Sequence, residues 1–491
     1  MSTRWDNPKP FASTPHVSRR EFLQENAMGV GSIALAWMLQ QDNALATSDI
    51  AEQEKSLDLL PRRAPEPPHA TAMISLFQHG GPSHMDLTDP KPELTKHDGQ
   101  DYDGNVTYSF ANAASKRLLG SKWRFSQHGE CGMELSELLP HTAGIVDDIC
   151  LIRSMHTGAN GHEVSIRYFH GGIPSVLGRP HMASWILYGL GSETQDLPAY
   201  MVLTDPGGHP VDGTHNWSCG FMPSLFQGTV LRPSEPRIFN LDPPAQLRGK
   251  LQEQWLAFQQ KLNRRHADRF GKNSDLEARI ANYELAARMQ TSARDALDIS
   301  QETAATQQMY GLDRDETREY GTRCLIARRL VERGVRFVQL FLAGQPWDNH
   351  RNLQSNLPAI CRRTDQPSAA LVRDLKQRGM LDTTLVHWGG EIGRLPVCQV
   401  QGDQSKVGRD HNGQGFSCWL AGGGVQNGRI YGETDEFGHR AVVDSVTPND
   451  YQATVLHLFG LNHEKLVYSY NGRDENLTNH REARVVKEIL S

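Results

Sequence analysis

The chain has no Cys-x-x-Cys pair, and its seven cysteines (131, 150, 219, 324, 361, 398 and 418) are scattered and odd in number. That excludes zinc ribbons, iron–sulfur runs and covalently attached haem, and leaves at least one thiol unpaired within the chain. Most of the cysteines are expected to be small buried apolar residues. Positive charge is not in excess either: 51 basic against 57 acidic residues give a formal net charge of −6. Such a chain offers no electrostatic footprint for nucleic acid or anionic lipid, so small-molecule partners are expected. No apolar run approaches the ~20 residues needed to cross a bilayer. Internal repeats and low-complexity tracts are also missing, which excludes solenoids and arrays. What is present is 38% hydrophobic and 22% charged residues in 491, enough for a sizeable core, and 21 histidines, the commonest neutral metal ligand.

The longest apolar run, Ala27 to Leu39, follows Ser18-Arg19-Arg20-Glu21-Phe22-Leu23 and precedes Ala44-Leu45-Ala46. Paired arginines, a short apolar stretch and a small-x-small site resemble a twin-arginine export signal over residues 1–46. The expectation is a periplasmic or secreted protein, carried by the twin-arginine translocase, with a mature chain that starts near Thr47. Residues 47–69 end in Pro61-Arg62-Arg63-Ala64-Pro65-Glu66-Pro67-Pro68, which reads as a linker because proline continues neither a helix nor a sheet interior.

From Thr71 the pattern changes to short apolar runs that each end in a polar or Gly-rich loop. They are Ala72–Phe77, Ile149–Arg153, Ala199–Leu203, Val335–Leu342, Thr384–Trp388 and Ser417–Ala421. Helical patterns lie between them, and this alternation predicts an α/β three-layer sandwich with a mostly parallel central sheet flanked by helices. The stretch from about 243 to 333 is mainly helical and is expected as an insertion in a single domain spanning 70–491. Its stripe of Leu247, Leu251, Trp255, Phe258 and Leu262 is expected to pack in the core.

In open α/β sheets ligands sit outside the carboxyl ends of the strands, so those loops are the place to seek chemistry. Trp347-Asp348-Asn349-His350 places a carboxylate and an imidazole two residues apart, able to share a cation or simply to bond to each other. Gly389-Gly390-Glu391-Ile392-Gly393-Arg394 puts Glu391 at the sheet edge, as a ligand or as a partner for Arg394. Gly408-Arg409-Asp410-His411 combines metal-binding types with a guanidinium suited to an anion. His79, His84, Asp86 and Asp89 follow the first strand, and His156, Thr157 and His162 follow the second. Four such clusters, each after a strand, favour one shared site.

At these residues the chain resembles the bacterial domain-of-unknown-function family 1501, placed with the alkaline phosphatase-like superfamily. The resemblance covers about 70 to 490 through HGGPSHMDLTDPKP (79–92), GRPHMASWILYGLGSE (178–193), WDNH (347–350), DQPSAALVRDLKQRGMLDTTLVHWGGEIGR (365–394), GRDHNGQGFSCWLAGGG (408–424), YGETDEFG (431–438) and NDYQATVLHLFGLNHEKL (449–466). It implies an alkaline phosphatase-like fold and an exported metal-dependent hydrolase of phosphate, sulfate or related esters, small-molecule or glycan, within polysaccharide degradation. The alternative is a glycan- or anion-binding protein that keeps the fold without cleaving. In the hydrolase reading Asp348, His350 and His411 bind one divalent cation, zinc, manganese or calcium. Glu391, Asp410, His79 or Asp86 help a second, Arg409 or Arg394 steadies the substrate anion, and His162 or His156 protonates the leaving group. Thr157 and Ser165 are the available hydroxyl nucleophiles. No cysteine has the Cys-x-Pro-x-Arg context that sulfatases need, and Ile392 stands where the superfamily has a further histidine.

Overall fold

The computed structural model describes residues 58–109, 115–239, 241, 246, 249–270, 274–399 and 406–491. The export-signal reading and the first part of the linker lie outside these residues. The rest of the linker runs along the domain, with backbone bonds from Arg62 to Leu190, Glu66 to Gly460 and His69 to Leu458.

All six apolar runs are strands. In chain order the strands that matter are β1 (Ala72–Phe77), β2 (Ile149–Met155), β3 (Tyr200–Leu203), β4 (Thr229–Leu231), β5 (Phe337–Phe341), β6 (Thr384–Gly389), β7 (Gly393–Gln399), β8 (Gly408–Asn412), β9 (Phe416–Ala421) and β10 (Arg429–Tyr431). The main helices are α1 (His162–Gly171), α2 (Met182–Leu190), α3 (Lys250–Phe270), α4 (Ser274–Leu297), α5 (Asp315–Glu332), α6 (Leu353–Gln377) and α7 (Pro448–Leu458).

Eight strands form one sheet in the order β10-β2-β9-β6-β1-β5-β3-β4. Every pairing is parallel except the two made by β9, which runs antiparallel to β2 and to β6. Alternation along the strands sends side chains to two apolar layers. Ala72, Ile74 and Leu76 of β1 pack with Leu325 and Leu330 of α5 and Leu371 and Leu375 of α6. Met73 and Phe77 pack on the other face with Phe169 of α1, Trp185 of α2 and Val455 of α7. The protein is therefore an α/β domain with a mixed, mostly parallel sheet between helical layers. All seven cysteines are free, and six are buried, Cys131 being the exposed one. Among the described residues no helix is long and apolar enough to cross a membrane.

The stripe on α3 departs from expectation. Leu251, Trp255, Phe258 and Leu262 are exposed, Leu247 lies outside the described residues, and the core contacts of this region come from Met289, Ala293 and Ala296 of α4. Periodicity shows that a helix has an apolar face and does not show what covers it. The last helix of the stretch, α5, lies in the core layer, with Tyr320, Cys324 and Leu325 fully buried.

Two glycines set how closely the site loops approach. Gly80 (φ +104°) and Gly81 (φ +73°) follow β1 in a backbone region that side chains disfavour. A Cβ on Gly80 would stand 2.6 Å from the Asp348 nitrogen, and one on Gly81 2.6 Å from the Ile392 oxygen. The loops after β1, β5 and β6 are thus in backbone contact.

Candidate metal centre

The loops at the carboxyl ends of β1, β2, β5 and β6 meet the antiparallel pair β7–β8. His411 on β8 lies opposite Arg394 on β7, and the register shifts between Arg409 and His411. This bulge lets neighbouring residues serve different surroundings. Arg409 points into the core, whereas Asp410 and His411 both turn to the loop after β5.

Asp348 is the hub. His350 Nε2 lies 2.9 Å and His411 Nε2 3.1 Å from its Oδ1, and His162 Nε2 lies 3.5 Å from its Oδ2. Arg394 Nη2 stands 2.5 Å from the same Oδ1. Asp410 Oδ1 is 3.7 Å from His350 Nδ1, and its Oδ2 accepts from the Ser109 backbone. Two groups of three ligand-type atoms gather within 4.8 Å of one another: His162, Asp348 and His411, and His350, Asp410 and His411.

Hydrogen bonds at the far side of each ring fix its tautomer. His411 Nδ1 donates to the Asn160 carbonyl at 2.7 Å, His350 Nδ1 to Gln399 Oε1 at 2.5 Å, and His162 Nδ1 to Glu391 Oε1 at 2.6 Å. A ring whose Nδ1 carries the proton presents a lone pair at Nε2 when neutral. The Nε2 atoms of His350 and His411 nevertheless face each other at 2.9 Å, beside a carboxylate oxygen. Two ring nitrogens and a carboxylate oxygen thus converge, with the Arg394 guanidinium beside them. His162 Nε2 and Glu391 Oε2 are buried without a hydrogen-bond partner. This donor set fits a divalent cation of the nitrogen- and oxygen-preferring kind.

The electrostatics agree with a charged hub. Burial alone would raise the Asp348 carboxyl, but Arg394 and the three histidines hold it well below the usual carboxylate range. Burial pushes His411 down, with Asp348 opposing, so the ring is favoured in its neutral, ligating form. For His162 burial lowers the pKa, yet Asp348 and Glu391 outweigh it and raise it to about 9. Burial would raise Glu391, and the hydrogen bond and charge of His162 hold it below its ordinary value.

Other expected site residues are placed elsewhere. Asp86 and Arg409 form a fully buried bidentate pair, with Arg409 Nε to Oδ2 at 2.8 Å and Nη2 to Oδ1 at 3.1 Å. Ser83 donates to the same carboxylate, and Arg409 also donates to the Leu119 carbonyl. Asp86 as a ligand and Arg409 as a substrate anchor are therefore replaced by a structural ion pair. Glu391 pairs with His162 and the Gly80 backbone and not with Arg394, which donates to Asp348 and to the carbonyls of Gly80, Gly81 and Arg409. His79 Nε2 bonds to Asn216 Oδ1, and its Nδ1 is buried without a partner, outside both groups of three. Burial takes His79 to about 4. His156 has Asp450 of α7 as its charged neighbour, and its ring is pushed down by burial. Thr157 and Ser165 bond to each other at 3.2 Å and to the Ala159 carbonyl, so neither hydroxyl is held by the cluster.

Asn160 and Gln399 were not singled out by the sequence. Asn160 acts through its backbone carbonyl, which leaves no residue-type signal, and Gln399 lies on a strand visible only through its pairing with β8.

Fold and site together define an α/β protein with a histidine–carboxylate cluster at the strand ends. The chain belongs to the family described as "Protein of unknown function (DUF1501)", which matches residues 70–490. No curated protein matches it. Among solved structures it is similar to PsFucS1 sulfatase from Pseudoalteromonas sp., at 11% identity over 80% of this chain and 68% of that one, TM-score 0.35. A TAB5 alkaline phosphatase mutant with Mg bound in the M3 site matches at 11% identity over 80% and 99%, TM-score 0.35. The phosphonate monoester hydrolase SpPMH from Silicibacter pomeroyi matches at 11% over 66% and 68%, TM-score 0.32.

Proposed function

We propose that the protein is an exported, metal-dependent hydrolase of phosphate, sulfate or related esters, with glycan esters met during polysaccharide breakdown as the favoured substrate class. The observation that carries this reading is the convergence of the His350 and His411 Nε2 atoms, 2.9 Å apart, on the Asp348 carboxylate. The sequence resemblance to alkaline phosphatase-like enzymes supplies the ester class.

Asp348, His350 and His411 would hold a divalent cation, and Asp410 stands beside His350 in the second group of three. When bound, such a cation polarises an ester oxygen and lowers the pKa of water. Asn160, Gln399 and Glu391 orient the imidazoles by taking their Nδ1 protons. Arg394, fully buried, clamps Asp348 and donates to the carbonyls of Gly80, Gly81 and Arg409, so it fixes the carboxylate and is not the substrate anchor the sequence suggested. His162, raised to about 9, holds a proton at neutral pH in the metal-free protein and is the residue placed to pass one to a leaving oxygen. His350, with 21% of its side chain exposed against 6% for His411 and 7% for His162, marks the side from which a substrate enters.

Protein purified without chelator should hydrolyse aryl phosphate or aryl sulfate esters, lose that turnover with chelator, and regain it with one of zinc, manganese or calcium. A metal-free, inert protein that binds glycans would replace this reading with the non-catalytic one.

A further inference from the structure

We propose that α3 is the self-association face of this protein and that its occupant is the α3 helix of a second copy, packed antiparallel about a two-fold axis. The helix runs 21 residues, and none of the α3 side chains described is buried. Helices of this length draw most of their stability from packing an apolar face, so a face left in water is expected to have a partner. Here the face is large: Leu251 is 51% exposed, Trp255 51%, Phe258 57% and Leu262 46%, with Tyr283 of α4 at 71% beside them. A groove of about 700 Å³ between α3 and α4, lined by Trp255, Leu256, Ile280, Tyr283 and Ala287, adjoins it.

The spacing 251, 255, 258, 262 is the four-three-four step of a helix-pairing seam. It is also palindromic. Turned end for end, Leu251 falls opposite the partner's Leu262, and Trp255 opposite the partner's Phe258, so one two-fold axis between Trp255 and Phe258 satisfies the whole stripe. The flanking residues accept this register: Lys250 meets the partner's Asn263, Gln252 the partner's Lys261, and Glu253 the partner's Gln260, with no like charges opposed. With about 150–250 Å² per aromatic side chain, the half-exposed patch amounts to on the order of 500 Å² per copy. Two copies bury on the order of 1,000 Å², the lower bound of a specific interface. The palindromic spacing favours a second copy; an anionic membrane is the other outcome to be tested, because α3 also carries Lys250, Lys261, Arg264, Arg265 and Arg269 against Glu253 and Asp268.

Sedimentation equilibrium of the purified protein between about 0.1 and 50 μM should show a reversible dimer. The Trp255→Glu/Phe258→Glu variant should weaken its dissociation constant at least ~100-fold, because two apolar hot spots are replaced by charges that meet in the pair. At concentrations where the wild type is monomeric the two should melt alike, since neither side chain touches the core, and only the wild type's melting temperature should rise with concentration. A wild-type protein that is monomeric at the top concentration overturns the proposal, as does a double variant that pairs as tightly as the wild type. Binding of a monomeric wild type to phosphatidylglycerol vesicles would assign the face to a membrane instead.

Discussion

Replacing Asp86 by Asn separates the roles that sequence and structure give this residue. The side chain keeps its shape, but Arg409 loses its counter-ion while both stay fully buried. Two charge-assisted bonds, at 2.8 and 3.1 Å, lose their anionic acceptor. Leaving one charge of a buried pair uncompensated costs about 3–5 kcal/mol. With roughly 2.1 cal/mol/K per residue over the ~420 residues of the domain, the unfolding entropy is about 0.9 kcal/mol/K, so the melting temperature should fall by roughly 3–6 °C. Replacing both partners, Asp86→Leu with Arg409→Met, should recover most of that loss, because apolar groups of similar size need no counter-charge. Differential scanning calorimetry of both variants gives the shifts, and plasma-source mass spectrometry of the same samples gives bound metal, which Asp86→Asn should leave unchanged. An Asp86→Asn protein that melts within 1 °C of wild type and has lost its metal would make Asp86 a ligand and refute the structural assignment.

Three other outcomes follow from the same geometry. His411→Ala removes one of the facing Nε2 atoms and should abolish metal-dependent turnover while melting close to chelator-treated wild type, as followed by ester hydrolysis and calorimetry together. In the metal-free protein His162 has its pKa raised from about 6.5 to about 9. Its contribution to stability is therefore fully present below pH 6.5 and lost as pH rises through 9, with a slope of at most ~1.4 kcal/mol per pH unit; urea unfolding across pH 6–10 should show that fall, and His162→Gln should flatten it. Gly80→Ala forces a Cβ to within 2.6 Å of the Asp348 nitrogen at φ +104°, so it should cost on the order of 2 kcal/mol or more by strain and contact and weaken metal binding by displacing Asp348, both measurable by unfolding and metal titration.

The sheet was legible because its strands are buried on both faces and read as short, mainly apolar runs that stop at polar or Gly-rich loops. Ala72–Phe77 and Thr384–Gly389 are the clearest cases, each buried throughout. Asp348, His350 and His411 could be singled out as residues because the strand-end rule says where side chains converge, although the rings' orientation could not be read. Partner choice was invisible. Nothing local ties Asp86 to Arg409 across 323 positions, or tells whether Glu391 meets Arg394 or His162. The bulge that sends Arg409 inward and keeps Asp410 beside His411 is a property of the β7–β8 pairing and has no residue-type mark. The stripe on α3 was read correctly as apolar and wrongly as core, because spacing alone carries no information about what lies opposite.

The most direct test of the metal centre is the metal content of protein purified without chelator, set beside that of Asp348→Asn and His411→Ala prepared in the same way. The account predicts at least one divalent ion per wild-type chain and its loss from both variants. A folded wild-type protein with no bound ion, and with no gain in melting temperature on adding zinc, manganese or calcium, would contradict it.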